Sequence, residues 1–82
     1  MNIIKSIEKA IDKTNSFLAS DKKEIELRFV DGLFLKIKKH IDSNKKELEI
    51  HTSGYDGTLE VKEAIDWIKW ELIDYKANGF IL

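Results

Sequence analysis

With 82 residues, of which 43% are apolar and 35% charged, residues 1–82 have room for a single domain with a small core. No stretch approaches the roughly 20 apolar residues of a membrane span, which predicts no membrane partner, and the absence of cysteine excludes disulfides, thiolate metal ligands and thiol nucleophiles together. The net charge of −1 hides an asymmetry: residues 1–46 carry 11 Lys or Arg against 7 Asp or Glu, a net +4, whereas residues 47–82 carry 3 against 8, a net −5. In a compact fold such halves neutralise each other where they interleave, and otherwise they offer a polar partner a docking face. The opening residues, MNIIKSIEKAIDK, lack a continuous apolar run before a small-residue cleavage site, so no secretory signal is predicted and a reducing cytoplasm is the default location.

Residues 2–19 place Ile4, Ile7, Ile11, Thr14 and Leu18 at helical spacing, with Ile3, Ala10 and Phe17 beside them and Lys or Glu on the remaining face. This predicts an amphipathic helix that stops near SDKK, where Ser20 and Asp21 compete for backbone hydrogen bonds.

From Glu24 the period becomes two: Ile25, Leu27 and Phe29 share one face of a strand, and Glu24, Glu26 and Arg28 the other. Leu33, Leu35 and Ile37 then alternate with Phe34, Lys36 and Lys38. A two-residue Asp-Gly turn between these runs would mix the faces, which a half-buried sheet does not tolerate. A three-residue loop, Val30-Asp31-Gly32 with Gly32 left-handed, pairs Phe29 with Leu33, Leu27 with Leu35 and Ile25 with Ile37. The same register sets Glu26 against Lys36 and Glu24 against Lys38, where opposite charges favour pairing. After the polar turn DSNKK, a third strand alternates Leu48, Ile50 and Thr52 inward with Glu47, Glu49 and His51 outward.

From Thr58 to about Ala77 the period returns to 3.6, with Val61, Ala64, Ile65, Ile68, Leu72 and Tyr75 on one stripe. Asn78-Gly79 supplies a left-handed terminator, and Phe80 folds back on Tyr75 in a Schellman motif. Gly54 and Gly57 serve as the bend into this helix, with Thr58 or Asp56 as its cap. The expected fold is therefore α+β: a helix, a three-stranded antiparallel meander and a second helix, both helices on one face of the sheet.

That order of elements resembles the double-stranded-RNA-binding domain, and GYDGTLEVKEAIDWI is similar to that family's glycine turn running into its second helix. The resemblance implies RNA contact through a lysine cluster at that helix. Here Glu60 and Glu63 flank a single Lys62, with Asp56 in the turn, so the family's main contact is missing. The Gly-Tyr-Asp-Gly segment also resembles the GXXG loop of KH domains, but it follows a strand and carries an acid where a basic residue would help.

Catalysis is hard to build from these residues, and no catalytic group, metal site or cofactor is predicted. His40 and His51 fall on the outward pattern of adjacent strands, where Asp42 or Glu49 could orient one of them, yet their spacing matches no ligand motif. Ser53 near His51 lacks an elbow or triad context. A basic strand and loop, Lys36, Lys38, Lys39, Lys45 and Lys46 with Phe34 and His40 interleaved, is the candidate for nucleic acid or an acidic surface, opposed by Glu24, Glu26 and Glu49.

The sharpest anomaly lies on the last helix. At about 100° per residue from Val61, the core stripe runs from roughly 300° to roughly 40°, whereas Trp70 falls at about 180°, Leu59 at about 160° and Ile73 at about 120°. Trp67, at about 240°, flanks the same side. Either the C-terminal Phe80-Ile81-Leu82 folds back over them, or Trp67, Trp70, Ile73 and that Phe80-Ile81-Leu82 tail form an exposed apolar patch edged by Glu63, Asp66, Glu71 and Asp74. The second alternative predicts a non-enzymatic interaction protein that forms a homodimer or captures a protein partner through this side, with size and composition suiting a phage or mobile-element inhibitor.

Overall fold

The computed structural model describes residues 3–41, 44 and 46–81. Helix α1 spans Ile7–Ala19, followed by strands β1 (Glu24–Arg28), β2 (Phe34–Ile41), β3 (Lys46–Thr52) and β4 (Asp56–Glu60), and then helix α2 (Val61–Ala77). The strands form one antiparallel sheet in the order β1-β2-β3-β4.

The helix expected from residue 2 begins later. Ser6 is its N-cap and accepts a hydrogen bond from the Lys9 backbone N–H at 3.1 Å. Ser6 itself is extended (φ −153°, ψ 154°), and the Ile4 N–H donates to the Arg28 carbonyl at 2.8 Å, so Ile4 is buried beside β1. At the other end of α1, Lys39 reaches across from β2: its Nζ donates to the Ser20 carbonyl at 2.6 Å and lies 4.5 Å from the centre of the Phe17 ring. The last turn of α1 holds no basic residue of its own, so β2 supplies the cation that its dipole favours.

The β1–β2 register is the one the alternation predicts, Leu27 opposite Leu35, Ile25 opposite Ile37, Glu26 opposite Lys36 and Glu24 opposite Lys38. The loop Val30–Gly32 is a single 3-10 turn in which Gly32 (φ 78°) and also Asp31 (φ 62°) are left-handed.

The expected three-stranded sheet is corrected by β4. Asp56–Glu60 has weak strand character, so the sequence offers no strand there and the helix is read back to Thr58, although Leu59, at about 160° from Val61, falls out of phase with the core stripe. Pairing with β3 prevails: Leu59 lies opposite Leu48 and Gly57 opposite Ile50 on the inner face. Leu59 therefore packs against the core from a strand, not outward from a helix. The glycine-containing bend turns β3 into β4, and α2 follows directly, with Glu60 as an N-cap that makes no side-chain cap bond. A fourth strand in this place also departs from the order of elements on which the RNA-binding resemblance rests.

Both helices cover the apolar face. Leu35, Ile37, Leu48 and Ile50 are fully buried and form one core with Ala10 and Phe17 of α1 and Ala64, Ile68, Leu72 and Tyr75 of α2. Thr14, buried in α1, satisfies its hydroxyl by donating to the Ala10 carbonyl at 2.9 Å. α2 ends as predicted: Gly79 has φ 83°, and the Phe80 N–H donates to the Tyr75 carbonyl at 2.8 Å. The chain then returns to the β1–β2 loop, where the Val30 N–H donates to the Phe80 carbonyl at 3.2 Å and Ile81 is buried. Among the described residues no helix is long and apolar enough to cross a membrane.

Candidate interaction surface

α2 is buried along the stripe Ala64, Ile68, Leu72 and Tyr75, so its opposite side faces away from the sheet. On that side Trp70 is 72% exposed and Ile73 51% exposed. The C-terminal return through Ile81 does not cover them, because it runs towards Val30 and the Phe29 end of the core. Apolar side chains so placed, one of them a tryptophan, are uncommon on a small soluble surface away from an interface.

The remaining residues named for this patch divide. Asp66 and Asp74 are exposed beside Trp70 and Ile73. Trp67 is half-buried, its ring 4.6 Å from that of Tyr55 with the planes tilted by 31°. That stack depends on Gly57: a Cβ there would lie 2.3 Å from the Tyr55 hydroxyl oxygen. Phe80 is drawn into the fold, edge-on to Tyr75 at 6.4 Å, and leaves the patch. Patch membership thus narrows to Trp70 and Ile73 with the charges around them.

Those charges are ordered. Lys62, Lys69 and Lys76 are exposed along one flank of the apolar pair, while Asp74 lies on the other with Glu71 next to it. Burial, and then the Asp74 carboxylate, pushes the Glu71 carboxyl above the usual range. Tyr75 beneath is pushed up to about 12, by burial first and then by Glu71 and Asp74. That flank is short of cations.

The outer face of the sheet is built differently. On it Lys38 stands between Glu24 of β1 and Glu49 of β3, 3.9 Å from Glu24, and Lys36 between Glu26 and His51. Lys39 has the opposite parity and is committed to α1, and Lys46 sits opposite Ile41 on that same inner parity. Lys45 and Asp42 lie outside the described residues. Among the described residues named for nucleic acid, only Lys36 and Lys38 therefore stand together on the outer face of the sheet.

His40 and His51 do converge, on Glu49. One Glu49 oxygen bonds His40 Nε2 at 2.8 Å and the other bonds His51 Nε2, while His51 Nδ1 bonds the Asp56 carboxylate. A neutral imidazole carries one N–H and cannot donate to both carboxylates, so this arrangement fits the doubly protonated ring. Hydrogen bonds from His51 and then His40 hold Glu49 down at about 2, and those from His51 to Glu49 and Asp56 raise His51. Asp56 is the partner sequence reasoning missed, because only β4 sets it opposite His51. Among the described residues no group of His, Asp or Glu is arranged to hold a metal ion. Compared with known proteins, the chain matches no family model, no curated protein and no solved structure.

Proposed function

We propose that this chain is a small non-enzymatic interaction module that docks another polypeptide on the outer side of α2. The observation that carries the reading is the exposure of Trp70 and Ile73 on a helix whose opposite stripe is already committed to the core. A helix apolar on both sides gains by burying the second against a partner, since each large side chain removed from water contributes about 1.5–3 kcal/mol. Tryptophan at the centre and charge at the rim are the composition of an interface hot spot.

Affinity capture tests this. The immobilised wild-type chain, its Ile73→Asp variant and a Lys36→Glu/Lys38→Glu variant are exposed to a lysate of the organism that encodes the protein. Docking on α2 predicts that Ile73→Asp loses the captured polypeptide and the sheet variant keeps it. The reverse pattern would place the binding surface on the sheet and refute the proposal.

A further inference from the structure

The charges around Trp70 and Ile73 specify an occupant. Resting on the reading of α2 as a docking face, we infer that the occupant is a second copy of this chain, with its α2 running parallel to the first. Written as a heptad, α2 places Trp70 and Ala77 at a, Ile73 at d, Lys62, Lys69 and Lys76 at g, and Trp67 and Asp74 at e. In a parallel pair the g flank of one helix meets the e flank of its partner. Lys69 then meets Asp74 of the partner subunit, and the same contact is repeated by symmetry. In an antiparallel pair each flank meets itself, so Lys69 would face Lys76 of the partner subunit and the cation-poor side around Asp74 would find no cation.

The acids at the start of the helix limit the contact. Glu63 and Asp66 occupy the a and d positions of the first heptad, and like charges there push the N-terminal ends apart. The pair is consequently a crossing centred on Trp70, Ile73 and Ala77, splayed at Glu63, and not a long coiled coil. An isologous contact of this kind closes on itself as a dimer.

The native chain has no cysteine, so single cysteines report orientation cleanly. In the parallel pair Ala77 lies near the twofold axis; Ala77→Cys should give a disulfide-linked dimer under mild oxidation. An equal mixture of Glu63→Cys and Ala77→Cys chains should give no mixed disulfide. In sedimentation equilibrium, Lys69→Asp should weaken the dimer about tenfold, and Lys69→Asp/Asp74→Lys should restore it. A mixed Glu63–Ala77 disulfide, or a dimer tightened by Lys69→Asp, would overturn the parallel pairing. A wild-type chain that stays monomeric at millimolar concentration would overturn the second copy altogether. If that monomer still captures a polypeptide that Ile73→Asp loses, the docking face stands while this inference falls; if capture depends on Lys36 and Lys38 instead, both fall.

Discussion

Trp67 and Trp70 lie one turn apart on α2 and have opposite fates: the ring of Trp67 stacks on Tyr55 at 4.6 Å, whereas Trp70 is 72% exposed. Residues of the same type, both set off the core stripe, are separated by what the rest of the chain brings to them. The hairpin of β3 and β4 delivers Tyr55 to Trp67. Among the described residues no ring is delivered to Trp70 in this way, and its indole stays in solvent.

The stack gives the first prediction. Gly57→Ala places a Cβ 2.3 Å from the Tyr55 hydroxyl oxygen and 2.7 Å from the ring carbon bearing it, so the ring must leave Trp67. Losing an aromatic pair costs about 0.5–1.5 kcal/mol. Chemical denaturation should show a destabilisation of about 1 kcal/mol, with Trp67 emission shifted to the red. Gly54→Ala, whose Cβ would meet nothing within 4 Å, should be close to neutral.

Lys39 closes α1 from another element. Lys39→Met keeps most of the aliphatic stem but removes the bond to the Ser20 carbonyl and the cation over Phe17. Each interaction contributes about 0.3–1 kcal/mol, so the midpoint of urea unfolding should fall by an amount equivalent to about 1 kcal/mol, with the slope unchanged. Lys36→Met, on the outer face, should change it by less than about 0.5 kcal/mol.

The arrangement around Glu49 predicts a pH dependence of stability. Glu49 is lowered from 4.5 to about 2, so its contribution is complete above 4.5 and lost as pH falls from there towards 2. His51 is raised from 6.5, so its contribution is complete below 6.5 and lost as pH rises through the elevated folded value. Asp56 and Glu49 favour the charged ring and Lys36, opposite it in the ladder, opposes it. Thermal melts should show the group contributing most between pH 4.5 and 6.5. His51→Asn should lower the melting temperature more at pH 5.5 than at pH 9; an equal loss at both would mean that the ring acts without its charge.

Much of this architecture was legible in the sequence, and most of what was not traces to β4. Alternation in β1 and β2 specifies a register because apolar pairs on one face and Glu-Lys pairs on the other agree. The end of α2 is legible because Gly79 and Phe80 meet the stereochemical demand of the terminator. Residues 56–60 mislead, since Gly57 and Asp56 are poor strand formers and the run is too short to show an alternation of its own; long-range pairing with β3 decides the matter. The same omission hid Asp56 from His51 and Tyr55 from Trp67. Adjacency in sequence sets Lys39 beside Lys38, but consecutive strand residues point to opposite faces, so Lys39 turns to α1.

Exposure of the docking face separates stability from association. Ile73→Asp removes no core contact that the buried stripe of α2 relies on, so at concentrations where the chain is monomeric its melting temperature should stay close to wild type, within about 0.5 kcal/mol. Leu72→Ala, one residue away but fully buried, should cost about 2–5 kcal/mol.

The most direct test is a dilution series followed by 1H–15N correlation spectra, in which each tryptophan gives its own indole N–H signal. Pairing through the outer side of α2 predicts that the Trp70 indole signal and the amides around Ile73 and Ala77 move together with concentration, while amides of the outer sheet face around Lys36 and Glu49 stay fixed. Concentration-dependent shifts confined to the sheet, or a Trp70 signal that does not move up to millimolar concentration, would contradict it.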